Sequence, residues 1–99
     1  MTDKIISEAV GELSSALALT CSAEEIEDFL GSLLTKAELR AVAARWALVK
    51  AIAGGMHQRD IAKRYSLSLC KITRGSRELK KDNSPFRLML ERLKKQQGK

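Results

Sequence analysis

The sequence contains few of the residues that mark catalytic, metal-binding, β-rich or disulfide-rich proteins. Its 99 residues include one histidine, two cysteines, one proline, one tryptophan, one tyrosine and two phenylalanines. With so few aromatic side chains, a core has to be built from Leu, Ile, Ala and Val, and the scarcity of proline and glycine favours helices over an all-β fold. A chain of this length forms one domain that is only marginally able to stabilise itself alone.

The cysteines and the histidine are too scattered for a catalytic or metal site. Cys21 and Cys70 lie far apart, without the spacing of metal ligands and without a histidine beside either of them. The single histidine, His57, is interpreted as a residue at the start of a helix. Because the sequence also has no His–carboxylate pair and no phosphate-binding loop, neither an enzyme nor a metal protein is expected.

Long apolar runs and a secretory signal are also missing. The first residues lead into a mixture of polar and apolar side chains, which does not resemble a signal peptide. No apolar run approaches the length that spans a bilayer. We therefore expect a cytoplasmic protein with reduced thiols and no membrane partner.

Charge is distributed unevenly along the chain. Residues 1–56 carry 5 Lys and Arg against 8 Asp and Glu, whereas residues 57–99 carry 13 against 4, and the whole chain has a net charge of +6. An acidic half joined to a strongly basic half indicates a polyanionic partner for the second half. The alternative is a lysine-rich surface that is merely solvated.

Start and stop signals mark six helices. The first covers 3–19, the second is capped by Ser22 with Glu25 three residues on, and the third is capped by Thr35 with Glu38 three residues on. The glycine pair at 54–55 ends the third helix. The last helix begins at Ser84-Pro85, and the charged tail 94–99 is expected to fray. These signals predict an all-α fold.

The segment 58–77 has the pattern of a helix-turn-helix. Apolar side chains follow a stripe on two short helices, separated by a turn at 66–68. Leu67 is placed to fill the angle between the helices, Ser68 to cap the second helix, and the small Ala62 to let the helices cross. The second helix of this motif enters the major groove of DNA.

The outward side chains of this segment predict DNA contacts. The N-terminal end of the second helix is expected to reach base edges, and basic residues on both helices are expected to bind phosphates. The predicted DNA-binding residues are Gln58, Arg59, Leu69, Cys70, Lys71, Thr73, Ser76, Arg77 and Lys80. The alternatives are a helical core whose basic face is only solvated, and a module that binds another protein.

Several short motifs resemble the tryptophan repressor family. The run Ile72-Thr73-Arg74-Gly75-Ser76 with Leu79-Lys80 carries the resemblance, together with Gln58-Arg59, Leu34-Thr35 and Arg45, and it covers about 30–93. This family is itself a standard helix-turn-helix example, so its docking geometry is taken from the family. The resemblance implies a six-helix intertwined homodimer. Residues 1–55 would form mainly the dimer core, 57–80 the helix-turn-helix, and 84–96 a C-terminal core helix, all within one domain over 1–99.

The resemblance also implies a corepressor, L-tryptophan, with no other cofactor. Arg45 and Arg74 would stack on the two faces of the indole ring, and Arg74 would hold the carboxylate. Gly75 would leave room for the ring. The backbone near Leu34, with Thr35, would lie at the end of a partner helix and accept the ammonium group. The implied ligand residues are Arg45, Arg74, Gly75, Leu34, Thr35 and Glu78.

Three features depart from the family pattern. Glu78 stands where a small polar residue close to the ligand's amino group is common, so this acid either pairs with the ammonium or disturbs the pocket. The loop before Gln58 is one residue shorter, which is expected to tilt the first helix of the motif. Arg77 replaces a common asparagine and should add a phosphate contact. Trp46 is interpreted as a core or dimer-interface residue.

The resulting expectation is a transcriptional repressor that depends on L-tryptophan. It would bind, as a dimer, a palindromic operator of tryptophan biosynthesis or transport genes, because two-fold protein symmetry requires two half-sites. The alternative is a helix-turn-helix regulator of the same fold that needs no ligand or senses a different one.

Overall fold

The computed structural model of the chain describes residues 1–97, which form six α-helices and no strand. The helices are α1 (Asp3–Ala18), α2 (Ala23–Leu33), α3 (Lys36–Ala53), α4 (Gln58–Tyr65), α5 (Leu69–Lys80) and α6 (Pro85–Gln97). The predicted all-α fold with six helices is therefore confirmed. Of the tail predicted to fray, residues 98 and 99 lie outside the described residues.

Hydroxyl side chains cap the helices at the positions where the sequence places them. The Ser22 hydroxyl accepts a hydrogen bond from the Glu25 amide at 3.3 Å, and the Ser68 hydroxyl accepts one from the Lys71 amide at 3.4 Å. Ser84 is buried and its hydroxyl accepts from the backbone amide three residues on at 3.3 Å. These bonds satisfy amides that have no partner inside the helix.

The capping box at the start of α3 is complete. The Glu38 amide donates to the Thr35 hydroxyl at 3.1 Å, and the Thr35 amide donates to the Glu38 carboxylate at 2.8 Å. The bond from the Thr35 amide, and then the Thr35 side chain, lower the pKa of the Glu38 carboxyl, because both stabilise the charged form. At Ser22, by contrast, only the serine half of the predicted box is formed among the described residues.

The chain divides into two compact units, and the first, Met1–Leu39, has almost no core of its own. Neither α1 nor α2 contains a buried residue. The apolar side chains of these helices are half-buried at best, and Val10, Phe29 and Leu33 remain 54%, 39% and 48% exposed. A helix with an apolar stripe is stabilised when that stripe is covered, and within the described residues the apolar side chains of α1 and α2 stay largely exposed.

The second unit, the rest of the chain from Arg40, contains the hydrophobic core. Leu48 of α3, Ile61 of α4 and Ile72 of α5 form a buried cluster, and Leu67 in the turn packs against it as predicted. The other side chains packed against this cluster are Ala51, Ile52, Met56, Ala62 and Tyr65. Burial of these apolar side chains fixes α4 and α5 against α3.

Trp46 and Phe86 connect α3 with α6 in the same unit. Their ring centroids are 6.5 Å apart, with planes inclined by 29°, within the range of favourable aromatic pairs. Trp46 is only half-buried. Trp46 therefore packs on Phe86 while staying partly accessible, and its interpretation as a core or dimer-interface residue stays a prediction.

The turns contain two non-glycine residues in the left-handed region. Ser66, which ends α4, has a φ of 53°, and Asn83 has a φ of 54°. Of the glycine pair after α3, only Gly55 is left-handed, with a φ of 87°. Asparagine tolerates this conformation, whereas in serine the Cβ is sterically unfavourable there. The turn of the helix-turn-helix therefore contains a strained residue, Ser66.

No helix among residues 1–97 combines the length and apolar character needed to cross a membrane.

Candidate functional site

The helix-turn-helix packs into the hydrophobic core through the inner faces of its two helices. Ile61 and Ile72 have no exposed surface, so the inner faces of α4 and α5 are fixed in the core. The intervening turn is fixed by Leu67 inside and by the Ser68 cap at the start of α5. The remaining faces of α4 and α5 are therefore open to solvent.

The residues predicted to contact DNA lie almost entirely on these open faces. Leu69, at the start of α5, is 63% exposed. All the other predicted DNA-binding residues are exposed except Ser76, which is half-buried. The Thr73 hydroxyl donates to the Leu69 carbonyl at 3.0 Å, so that its methyl group and oxygen lone pair remain for a partner. Most of the predicted residues thus lie on the exposed faces of the motif, whereas Lys71 lies on the cavity side of α5, and their individual roles remain predictions.

Positive charge on α4 and α5 is not neutralised within the described part of the chain. The only ion pair among residues 1–97 joins Lys81 to Glu78. The basic side chains of the two helices therefore have no acidic partner there, and Arg64 lies 5.6 Å from the ring centroid of Tyr65. The basic residues on these helices are Arg59, Lys63, Arg64, Lys71, Arg74, Arg77 and Lys80. Such a surface attracts a polyanion.

A cavity of about 300 Å³ lies behind α5, between this helix and parts of α3 and α6. Its size falls in the range of small-molecule sites, and its walls are mostly apolar with a few charged groups, as such sites usually are. Its lining residues are Ala41, Ala44, Arg45, Leu48, Val49, Leu67, Lys71, Arg74, Gly75, Glu78 and Phe86.

Four of the six predicted ligand residues line this cavity. Arg45 comes from α3, and Arg74, Gly75 and Glu78 come from α5. Leu34 and Thr35 belong to the first unit. Their predicted role at the end of a partner helix remains a prediction.

Gly75 is required by packing as well as by the cavity. A Cβ at this position would lie 3.3 Å from Leu48 Cδ2 and 3.4 Å from Ile52 Cδ1. The first distance is shorter than ordinary van der Waals contact and the second lies at its lower limit, so the absence of a side chain lets α5 approach α3 closely. The sequence interpretation placed this small residue on the apolar stripe of the second helix and gave it room for the ligand ring, but did not predict its contact with Leu48.

Sequence reasoning missed part of the cavity wall. Ala41 and Ala44 on α3 leave space where larger residues would fill it, and Phe86 of α6 closes one side. Lys71, predicted to contact DNA, also lines the cavity. Ala41 lies four residues before Arg45 and three before Ala44, and this spacing of small residues along α3 is the signal that could have identified the wall.

The charged groups of the cavity suit a planar molecule that carries a carboxylate. Arg45 and Arg74 present guanidinium groups, which stack on aromatic faces and pair with carboxylates. Glu78 adds one carboxylate, which receives a hydrogen bond from Lys81 Nζ at 2.9 Å. An aromatic ring with a carboxylate side chain matches both the apolar walls and these cations.

Comparison with known proteins assigns the chain to a family. The model of the Trp repressor protein family matches residues 8–94. A Trp operon repressor homolog of Chlamydia caviae is 37% identical over 76 residues, which are 76% of this chain and 75% of that protein. A Trp operon repressor homolog of Chlamydia trachomatis serovar L2 is 35% identical over 82 residues, with 78% of this chain and 87% of that protein covered. No solved structure matches the chain at the same significance.

Proposed function

Because the chain belongs to the Trp repressor protein family, whose members are DNA-binding transcriptional regulators and not enzymes, we propose that it is a cytoplasmic repressor whose affinity for operator DNA depends on L-tryptophan. The operator would be a palindrome near tryptophan biosynthesis or transport genes. The protein would bind it as a homodimer. Repression would follow from occupation of this operator.

The observation that carries the proposal is that α5 has one face exposed to solvent and another that lines the cavity. Leu69, Thr73 and Arg77 are exposed on its outer surface, whereas Arg74 and Gly75 line the cavity behind it. A ligand in the cavity therefore contacts the same helix that would read the DNA. Such a ligand favours the helix orientation that it binds best, which is how it would change DNA affinity.

The fit of L-tryptophan rests on the chemistry of the cavity walls. The indole ring would lie between Arg45 and Arg74, where cation–π contacts with both faces are possible. Arg74 would also bind the ligand carboxylate. The ammonium group would be recognised by Glu78 and, from a partner chain, by the carbonyl end of the helix near Leu34 and Thr35.

The homodimer is supported by the exposed apolar face of the first unit. Ile5, Val10, Phe29 and Leu33 are 49%, 54%, 39% and 48% exposed, and α1 and α2 bury no residue within this chain. Exposed apolar surface of this extent, on helices that lack a core, is typical of a protein–protein interface. A second copy of the chain would cover it and give the two-fold symmetry that a palindromic site requires.

The DNA contacts would divide by position on the helix-turn-helix. Residues at the start of α5, namely Leu69, Cys70 and Lys71, would reach base edges, with Thr73 and Ser76 alongside them. Gln58, Arg59, Arg77 and Lys80 would contact phosphates and give the salt-dependent part of the affinity.

Isothermal titration calorimetry with L-tryptophan tests the ligand part of this proposal. The wild-type chain should bind one ligand per chain saturably, and Arg74→Ala should abolish or strongly weaken this binding, since it removes both the stacking and the carboxylate contact. Arg77→Ala is the matched control, because it removes the same charge from the same helix outside the cavity. Its affinity for L-tryptophan should equal that of the wild type.

Absence of binding in the wild-type chain would refute the tryptophan dependence. The protein would then be a helix-turn-helix regulator that needs no ligand or senses another one. Equal weakening by Arg74→Ala and Arg77→Ala would show that the cavity is not the site.

A further inference from the structure

Glu78 is the only acid among the charged residues that line the cavity. Its neighbours there are three cations, Arg45, Lys71 and Arg74. A zwitterionic ligand in the cavity would therefore find several partners for its carboxylate and, within this unit, one carboxylate for its ammonium group. In the chain without ligand, that carboxylate already forms an ion pair.

Lys81 forms this ion pair with the carboxylate of Glu78. Its Nζ lies 2.9 Å from Glu78 Oε1, and the two side chains are 59% and 31% exposed. Lys81 follows the last residue of α5 and does not line the cavity. It reaches Glu78 from outside, across one turn of the helix end.

The backbone at Lys81 is fixed independently of this ion pair. Arg87 Nη2 of α6 donates a hydrogen bond to the Lys81 carbonyl at 3.0 Å. The lysine is therefore held beside Glu78 by the connection between α5 and α6, while its exposed amino group remains free to move into solvent. The ammonium of Lys81 can leave without disturbing the helix.

We propose that Lys81 is an internal competitor for the ammonium group of the ligand, so that the Glu78–Lys81 pair determines how strongly the cavity distinguishes amine-bearing ligands from analogues without an amine. This inference rests on the proposed function, since it concerns the same cavity. On binding, Glu78 exchanges the lysine ammonium for that of the ligand. An aromatic carboxylate without an amine leaves the Glu78–Lys81 pair in place.

The pair is solvent-exposed, which limits the size of the effect. Exposed ion pairs contribute little to stability and are screened by salt. Removing the Lys81 charge should therefore raise the affinity for an amine-bearing ligand by only about two- to fivefold at low salt. The affinity for the analogue without an amine should not change, because Glu78 is not needed to bind it.

The test compares L-tryptophan with indole-3-propionate, which has the same ring and carboxylate but no amine. Both are titrated by calorimetry, without DNA and at low salt, into the wild-type chain and Lys81→Gln. Lys95→Gln is the charge control, since Lys95 is exposed on α6 and outside the cavity. Glu78→Gln, and the double variant Glu78→Gln with Lys81→Gln, complete a cycle that isolates the interaction between the two residues.

The proposal predicts a higher affinity for L-tryptophan in Lys81→Gln, no change for indole-3-propionate, and no effect of Lys81→Gln when Glu78 is already glutamine. Lys95→Gln should leave both affinities unchanged. Equal changes for the two ligands in Lys81→Gln, or no change for either, would overturn the competitor role and leave the tryptophan site intact. If the wild-type chain bound neither ligand, both this inference and the proposed ligand site would fail.

Discussion

Alanine substitutions at Ile72 and Leu69 should separate folding from DNA recognition. Both residues belong to α5 and lose the same number of carbon atoms on truncation, but Ile72 has no exposed surface whereas Leu69 is 63% exposed. Truncating a fully buried Ile to Ala costs about 2–5 kcal/mol of unfolding free energy, because it leaves a cavity in the core. Truncating an exposed side chain usually changes stability by less than about 0.5 kcal/mol.

For the affinity for DNA, Leu69→Ala should have a direct effect, although it hardly changes stability. Complete burial of a leucine side chain contributes about 1.5–3 kcal/mol, and nearly two-thirds of the Leu69 surface is available for burial against DNA. Leu69→Ala should therefore weaken binding by about 1–2 kcal/mol, which is about 5- to 30-fold.

Thermal unfolding followed by circular dichroism measures the first effect, and fluorescence anisotropy with a selected duplex at fixed salt measures the second. Ile72→Ala should lower the melting temperature by at least about 8 °C, from about 4–8 °C per kcal/mol in a domain of this size, with protein concentrations matched because association affects stability. A loss of less than about 1 kcal/mol in Ile72→Ala would contradict the core assignment. Unchanged DNA affinity in Leu69→Ala would contradict the prediction that Leu69 contacts DNA.

Four further substitutions test other parts of the structure. With ligand saturating, Lys71→Ala should reduce discrimination between bases by about 1–3 kcal/mol, whereas Arg77→Ala should weaken all duplexes alike and reduce the salt slope by about one; the reverse pattern in competition assays would contradict these roles. Ser66→Gly should raise the unfolding free energy by up to about 1 kcal/mol, because it removes the Cβ from a left-handed residue. A lower unfolding free energy of this variant in urea denaturation would be evidence against strain at this turn. The pKa of Glu38 is lowered in the folded chain, so the carboxylate should stabilise the fold fully above its unfolded pKa and lose this effect as pH falls through its folded pKa. Glu38→Gln should therefore make the unfolding free energy less dependent on pH. The same pH dependence in this variant and the wild type would contradict the role of the capping box.

The helix bounds could be predicted from the sequence because their signals are local. Ser22, Ser68 and Ser84 each cap the helix that follows, at the position where a hydroxyl is followed by a helical apolar pattern. The complete capping box at Thr35 was predicted for the same reason, since both partners lie within one helical turn.

The cavity could be predicted only in part because its walls come from distant parts of the chain. Arg45 and Arg74 were predicted through the family resemblance, whereas Phe86 joins them only when α6 packs beside α3. Phe86 is half-buried near the start of α6, and nothing in the neighbouring sequence indicates which residues it borders.

The Glu78–Lys81 pair and the left-handed Ser66 were not predicted. An acid and a lysine three residues apart interact only if both side chains adopt the required rotamers at the end of the helix. Serine shows no preference for the left-handed region comparable to that of glycine, so its conformation at Ser66 is imposed by the packing of Leu67 and the turn.

Measurement of DNA affinity with and without L-tryptophan tests the central claim most directly. A duplex is first selected from a random pool by the wild-type chain with L-tryptophan present, and its dissociation constant is then measured at one salt concentration with and without the ligand. The account predicts a palindromic site and binding that is about 5- to 150-fold tighter with ligand, the range of typical allosteric coupling. Equal affinity in the two conditions would contradict it, because the ligand would then have no preference for the DNA-binding orientation of α5.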